Sequence, residues 1–110
     1  MYRFYTADRK KLSLGVDGRG VTFIYRGANG HAADAIQIDQ DWININSILS
    51  KLRKSEKYST GDNSLSVWKQ GEELYVNLRA LDRRLEETLI FPREITAQFM
   101  YALGTLPSLN

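Results

Sequence analysis

The segment LSVWKQGEELYVNLRA, residues 65–80, carries side chains that can bind nucleobases and phosphates. As a β-hairpin it would alternate apolar residues on one face with Trp68, Tyr75, Asn77 and Arg79 on the other. Aromatic rings stack on unpaired bases, a contact worth about 1–3 kcal/mol per base. Arginine contacts phosphate, and asparagine hydrogen-bonds base edges or sugars. These four residues are therefore a candidate site for single-stranded nucleic acid.

The aromatic pair has two other interpretations. Exposed aromatic residues are common on strands because they pack well across a sheet. Tyr and Trp are also enriched in protein interfaces. The rival hypothesis is therefore a small protein-binding module, an inhibitor or adaptor, that docks through the same aromatic face or through an edge strand.

An internal repeat extends the candidate set to the first half of the chain. YTADRKKLSLGVDG (residues 5–18) aligns with YSTGDNSLSVWKQG (residues 58–71), and the register continues so that Arg26 matches Arg79. Lys11 and Arg26 then lie on the outer face of an equivalent hairpin, and Arg9 and Lys10 directly precede it. All four are candidate phosphate contacts.

Each repeat predicts the same order of elements. The first half is predicted to form strands over residues 2–6, 11–17, 21–26 and 35–38 and a helix from about Gln40, capped by Asp39. The second half is predicted to form strands over 56–60, 65–69, 74–80 and 88–91, with Pro92 in the first turn of a helix. The chain is thus predicted to be a single α+β domain of two ββββα pseudo-repeats, about 1–54 and 55–110. Their antiparallel, curved sheets would pair through their inner faces and helices.

Alternation also predicts which side chains lie on the outer faces. On the first sheet they are Lys11, Ser13, Thr22, Ile24, Arg26 and Gln37, and on the second Ser64, Ser66, Trp68, Tyr75, Asn77 and Arg79. The net charge is only +2, but it is uneven. Residues 1–56 hold nine Lys or Arg against six Asp or Glu, and residues 57–110 hold six against seven. An electrostatic patch should therefore favour the first half.

Composition argues against several other classes. The 110 residues contain no cysteine, which excludes disulfides and thiolate chemistry and fits the cytoplasm or another reducing intracellular compartment. No apolar run approaches a membrane span, and no signal peptide is predicted. The single histidine, His31, lies in a Gly-rich loop without a nucleophile motif, so we expect no enzyme, metal or other cofactor.

The doubled β-β-β-β-α order resembles single-stranded nucleic-acid binders of the Pur-alpha and Whirly class. The features that carry the resemblance are the hairpins KLSLGVDGRGVTFIYRG and SLSVWKQGEELYVNLRA, the short strands AIQI and TLIF, and the amphipathic helices. Residues 3–54 and 57–106 each resemble one degenerate repeat. The resemblance implies binding of single-stranded DNA or RNA along the sheet faces, and a homodimer. The residues that could inherit this role are Lys11, Arg26, Trp68, Tyr75 and Arg79.

Overall fold

Strands and helices follow one another in the same order in both halves of the chain. The computed structural model describes residues 2–106. The first half contains β1 (Tyr2–Tyr5), β2 (Lys11–Val16), β3 (Gly20–Arg26), a 3-10 turn (Ala32–Asp34), β4 (Ile36–Asp41) and α1 (Trp42–Arg53). The second contains β5 (Tyr58–Ser59), β6 (Leu65–Gln70), β7 (Glu73–Ala80), β8 (Leu85–Phe91) and α2 (Arg93–Thr105). The predicted α+β fold of two ββββα units is confirmed.

Each sheet is antiparallel, with its strands in sequence order. Alternation places the apolar residues of the hairpins inward, as predicted. The fully buried inward residues of the second hairpin are Leu65, Val67, Leu74, Val76 and Leu78. The turns supply the required geometry: Gly71 has a φ of 63°, and the Asp17 carboxylate accepts hydrogen bonds from the Arg19 and Gly20 amides.

The first helix starts later than its sequence suggests. Asp39 and Gln40 were predicted to open it, but both belong to β4, where Gln40 pairs with Val21 and is buried. Ile36, Ile38 and Gln40 all face inward, so the strand period continues two residues further. Asp41 is the actual cap, and its carboxylate accepts a hydrogen bond from the Asn44 amide at 2.8 Å.

Other predicted boundaries also shift. The fourth strand of the second unit was predicted over residues 88–91, but it is longer, because β8 begins at Leu85. Pro92 caps α2 and is not in its first turn. Ser13, Ser64 and Ser66 were predicted on the outer faces but are buried. The hydroxyl of Ser66 is hydrogen-bonded with that of Ser59, and the hydroxyl of Ser64 with that of Thr60.

The two units share one apolar core. Both helices contact each other and the sheets of both units. Phe99 of α2 is fully buried, with its ring centroid 5.6 Å from that of Phe4 and 6.5 Å from that of Phe23 on the first sheet. Phe4 also meets Phe91 of the second sheet, at 6.4 Å. The inner faces of both sheets are therefore buried in the core, and only the outer faces are left for a ligand to contact. No helix within residues 2–106 is both long and apolar enough to cross a bilayer.

Candidate nucleic-acid interface

On the outer face of the second sheet, Trp68 is enclosed by its neighbours. Tyr75 lies opposite it on β7, and the two rings stack with centroids 5.3 Å apart. The Lys57 ammonium lies over the Trp68 ring, 4.5 Å from its centroid, in a cation–π contact. Ile90 lies beside Tyr75 and is 44% exposed. We call these three side chains, the rings of Trp68 and Tyr75 and the aliphatic Ile90 beside them, the aromatic row. A base would have to displace Lys57 or bind along the outer edge of this row, because Lys57 and Tyr75 already contact the Trp68 ring.

The other two candidates on this face have protein partners. The Asn77 amide donates hydrogen bonds to Thr88 at 2.9 Å and to Glu86 at 3.4 Å. Arg79 forms an ion pair with Glu86 at 3.7 Å. Both side chains remain partly open to solvent, and an exposed pair of this kind is worth little. Glu86 nonetheless offsets the charge of Arg79.

The outer face of the first sheet is different, because its basic residues have no charged partner in the described part of the chain. Tyr5, Lys11 and Arg26 lie side by side on three adjacent strands, and Arg3 lies two residues from Tyr5 on β1, also facing outward. Within residues 2–106, neither Arg3, Lys11 nor Arg26 forms an ion pair or a side-chain hydrogen bond. We call these three the basic patch. Asp39 on β4 also lies on that face, where its carboxylate accepts a hydrogen bond from Thr22 at 2.6 Å.

Tyr5 and Arg3 were not among the predicted site residues. Tyr5 is 55% exposed and makes no ring contact with any described residue. It is therefore a freer stacking platform than Trp68. The alternation of YRFY around Phe4 could have placed both on the outer face, but a four-residue strand gives a weak periodic signal.

Arg9 and Lys10, the two loop candidates, have different surroundings. Arg9 is exposed, has a φ of 68° and forms no ion pair with any residue from 2 to 106. Lys10 instead binds Glu87 of the second unit at 3.1 Å and lies 3.5 Å from Asp8. The hydrogen bond to Glu87 raises the pKa of Lys10 above its usual value. Lys10 therefore links the two units, and only Arg9 has an unpaired charge to offer a phosphate.

A groove of about 960 Å³ runs between the two sheets along β4, and it is bordered by Arg26, Arg79 and Arg83 but also by Asp39 and Asp62. Hydrogen bonds from the backbone and hydroxyl of Ser64, and from Thr60, lower the pKa of Asp62 to about 2. This carboxylate is therefore charged at neutral pH, and the groove holds both signs of charge.

The free edge of β4 is partly covered. The Arg83 guanidinium donates to the Ala33 carbonyl at 2.6 Å and to the Ala35 carbonyl at 2.7 Å, just before the strand. Within it, the Gln40 amide donates to the Asp39 carbonyl at 2.7 Å. An added strand would need such edge groups for its own pairing. Fewer backbone groups along β4 are therefore free to bind an added strand than its position at the edge of the sheet suggests.

No group of three or more His, Asp or Glu side chains in the described part of the chain is arranged to hold a metal ion. His31 is exposed in the loop before the 3-10 turn, as expected. The chain matches no family model, no curated protein and no solved structure.

Proposed function

We propose that this protein binds single-stranded nucleic acid, DNA or RNA, mainly through the outer face of its first sheet. The observation that supports this most directly is the basic patch beside Tyr5. Three cations that have no carboxylate partner among residues 2–106 can contact successive phosphates, and an exposed ring among them can stack on a base. The aromatic row of the second sheet is a secondary contact, because its polar neighbours are already hydrogen-bonded.

Single strands fit this surface better than duplexes do. An exposed ring on a sheet reaches the face of a base only when that base is unpaired and unstacked. Duplex binding without such stacking depends on charge, and the net charge of the chain is only +2. The surface therefore combines modest electrostatics with stacking, which is the combination found in single-strand binders.

Fluorescence anisotropy of labelled oligonucleotides tests the proposal. Binding should favour the single strand over the duplex and weaken with salt, with a slope of log K against log salt near −2 for three phosphate contacts, at about −0.7 each. Lys11→Gln should reduce the magnitude of that slope by about 0.7. Lys54→Gln, at the exposed end of α1, is the matched control and should leave the slope unchanged.

Two results would count against the proposal. One is the absence of binding at tens of micromolar protein in low salt. The other is binding whose salt dependence is the same in Lys11→Gln as in the unaltered protein. The first result would favour the rival function, a protein-binding module that docks through the aromatic row, and the second would show that phosphates do not contact the basic patch.

A further inference from the structure

A second groove joins the two outer faces on the side opposite β4. One wall is formed by Tyr5 and the turn after β1, including Ala7 and Asp8, and the other by the corner of the second sheet. That corner contributes Glu73, Thr88, Ile90 and Pro92. The groove has a volume of about 560 Å³, within the range of small-molecule sites. We call it the seam groove.

From this groove we infer a base-selective subsite: the seam groove holds one unpaired base that carries an exocyclic amino group, cytosine above all, in preference to thymine or uracil. The inference rests on the proposed function, because the base arrives as part of a bound single strand. Three features support it: the position of the groove, its apolar walls and its carboxylates.

The position of the groove makes it continuous with the basic patch. Tyr5 belongs to the groove and also lies directly opposite Lys11, which in turn lies opposite Arg26. Neighbouring strands are about 4.8 Å apart, so Lys11 is one strand and Arg26 two strands from the groove wall. A nucleotide whose phosphate contacts these cations therefore has its base within reach of Tyr5.

The walls suit a flat, partly apolar ring. Tyr5 is 55% exposed and Ile90 is 44% exposed, and they belong to opposite walls. Pro92 and Ala7 are exposed as well and add apolar surface. A base inserted between such walls is desolvated on both faces, and Tyr5 adds stacking that every base can use. The apolar walls therefore explain base binding but not base choice.

Base choice comes from the carboxylates. Glu73 is exposed and has no ion pair or side-chain hydrogen bond among residues 2–106. Asp8 accepts a hydrogen bond from Thr6 and lies 3.5 Å from Lys10, so it is partly engaged. A carboxylate repels phosphate but accepts hydrogen bonds from an amino group, as Glu and Asp do with N4 of cytosine. Thymine and uracil present a carbonyl oxygen at that position, which a carboxylate disfavours.

The test compares oligomers of deoxycytidine and thymidine of equal length, which have the same backbone charge. The unaltered protein should bind the deoxycytidine oligomer about tenfold more tightly. Glu73→Gln should bring the ratio of the two affinities close to one, since an amide can donate to a carbonyl as well as accept. Glu94→Gln, an exposed change in the first turn of α2, should leave the ratio unchanged.

Each outcome separates this inference from the proposed function. Equal binding of the two oligomers, or a cytosine preference that persists in Glu73→Gln, would overturn the subsite while leaving single-strand binding in place. Failure of both oligomers to bind would overturn the proposed function itself, and the subsite with it. Tyr5→Ala should weaken both oligomers together, because stacking does not depend on the base.

Discussion

Replacing Phe99 with alanine should destabilise both halves of the chain at once. Its side chain is fully buried, and its ring makes edge or tilted contacts with Phe4 and Phe23 of the other unit. Phe→Ala changes in cores cost about 3–5 kcal/mol in the free energy of unfolding. A domain of this size has about 5–15 kcal/mol in total. Phe99→Leu, a smaller deletion, keeps the experiment informative if the alanine variant does not fold.

The two tryptophans provide one probe in each unit. Trp42 lies at the start of α1 and Trp68 on β6, so Trp42→Phe and Trp68→Phe leave one reporter each. In the Phe99 variants, the urea midpoint of unfolding should fall by the same amount whether the fluorescence of Trp42 or that of Trp68 is followed. Tyr101→Ala, 74% exposed on the same helix, should change stability by no more than about 0.5 kcal/mol. Movement of the Trp68 transition alone, or a cost of under about 1 kcal/mol for Phe99→Ala, would show that the two units do not share one core.

Two further predictions concern a turn and the contact between the units. Gly20→Ala should lower the free energy of unfolding by about 1–3 kcal/mol or more, because an added Cβ would lie 2.0 Å from the carbonyl oxygen of Gln40 on β4. At Gly18 an added Cβ meets nothing within 4 Å, so Gly18→Ala is the control and should leave the stability unchanged. Thermal melts of both variants measure the difference. Lys10→Met should cost up to about 1 kcal/mol at pH 7. Because Glu87 raises the pKa of Lys10, the contribution of this ion pair to the free energy of unfolding is complete below pH 10.5 and is lost at higher pH. The difference in urea midpoint between Lys10→Met and the unaltered protein should therefore be smaller at pH 11 than at pH 7. A gap that is constant with pH would show that the lost contact is not ionic.

Period and turn chemistry were enough to predict the order of the elements, but not all of their ends. The sequence Asp39-Gln40-Asp41 offers two possible caps to α1, and local rules do not choose between them. The choice is made across the sheet, because Gln40 is opposite Val21 and fills an inward position of β4. A boundary decided by a residue nineteen positions earlier is not visible in a local window.

The candidate site was predictable as a set of faces but not as a set of free charges. Lys10 and Lys11 are equivalent in sequence, yet Lys10 meets Glu87, which is 77 residues away. Arg26 and Arg79 match in the repeat, yet only Arg79 has a carboxylate opposite it, Glu86 on β8. Alternation predicts which side of a strand a residue faces. Only the assembled sheets determine which cations are already paired.

The same scaffold thus presents two chemically different outer faces. On the first sheet, cations that are unpaired within residues 2–106 could neutralise phosphates, which would supply affinity and salt dependence but no sequence information. On the second sheet, Thr88 already binds Asn77 and Glu86 already pairs with Arg79, so Arg79 offers less charge to a phosphate. The seam groove lies between them and combines Tyr5 from one face with Glu73 from the other. If phosphates bind the first face, the groove is where the protein could distinguish one base from another. It combines the exposed ring of Tyr5 with the carboxylate of Glu73, which has no partner among residues 2–106.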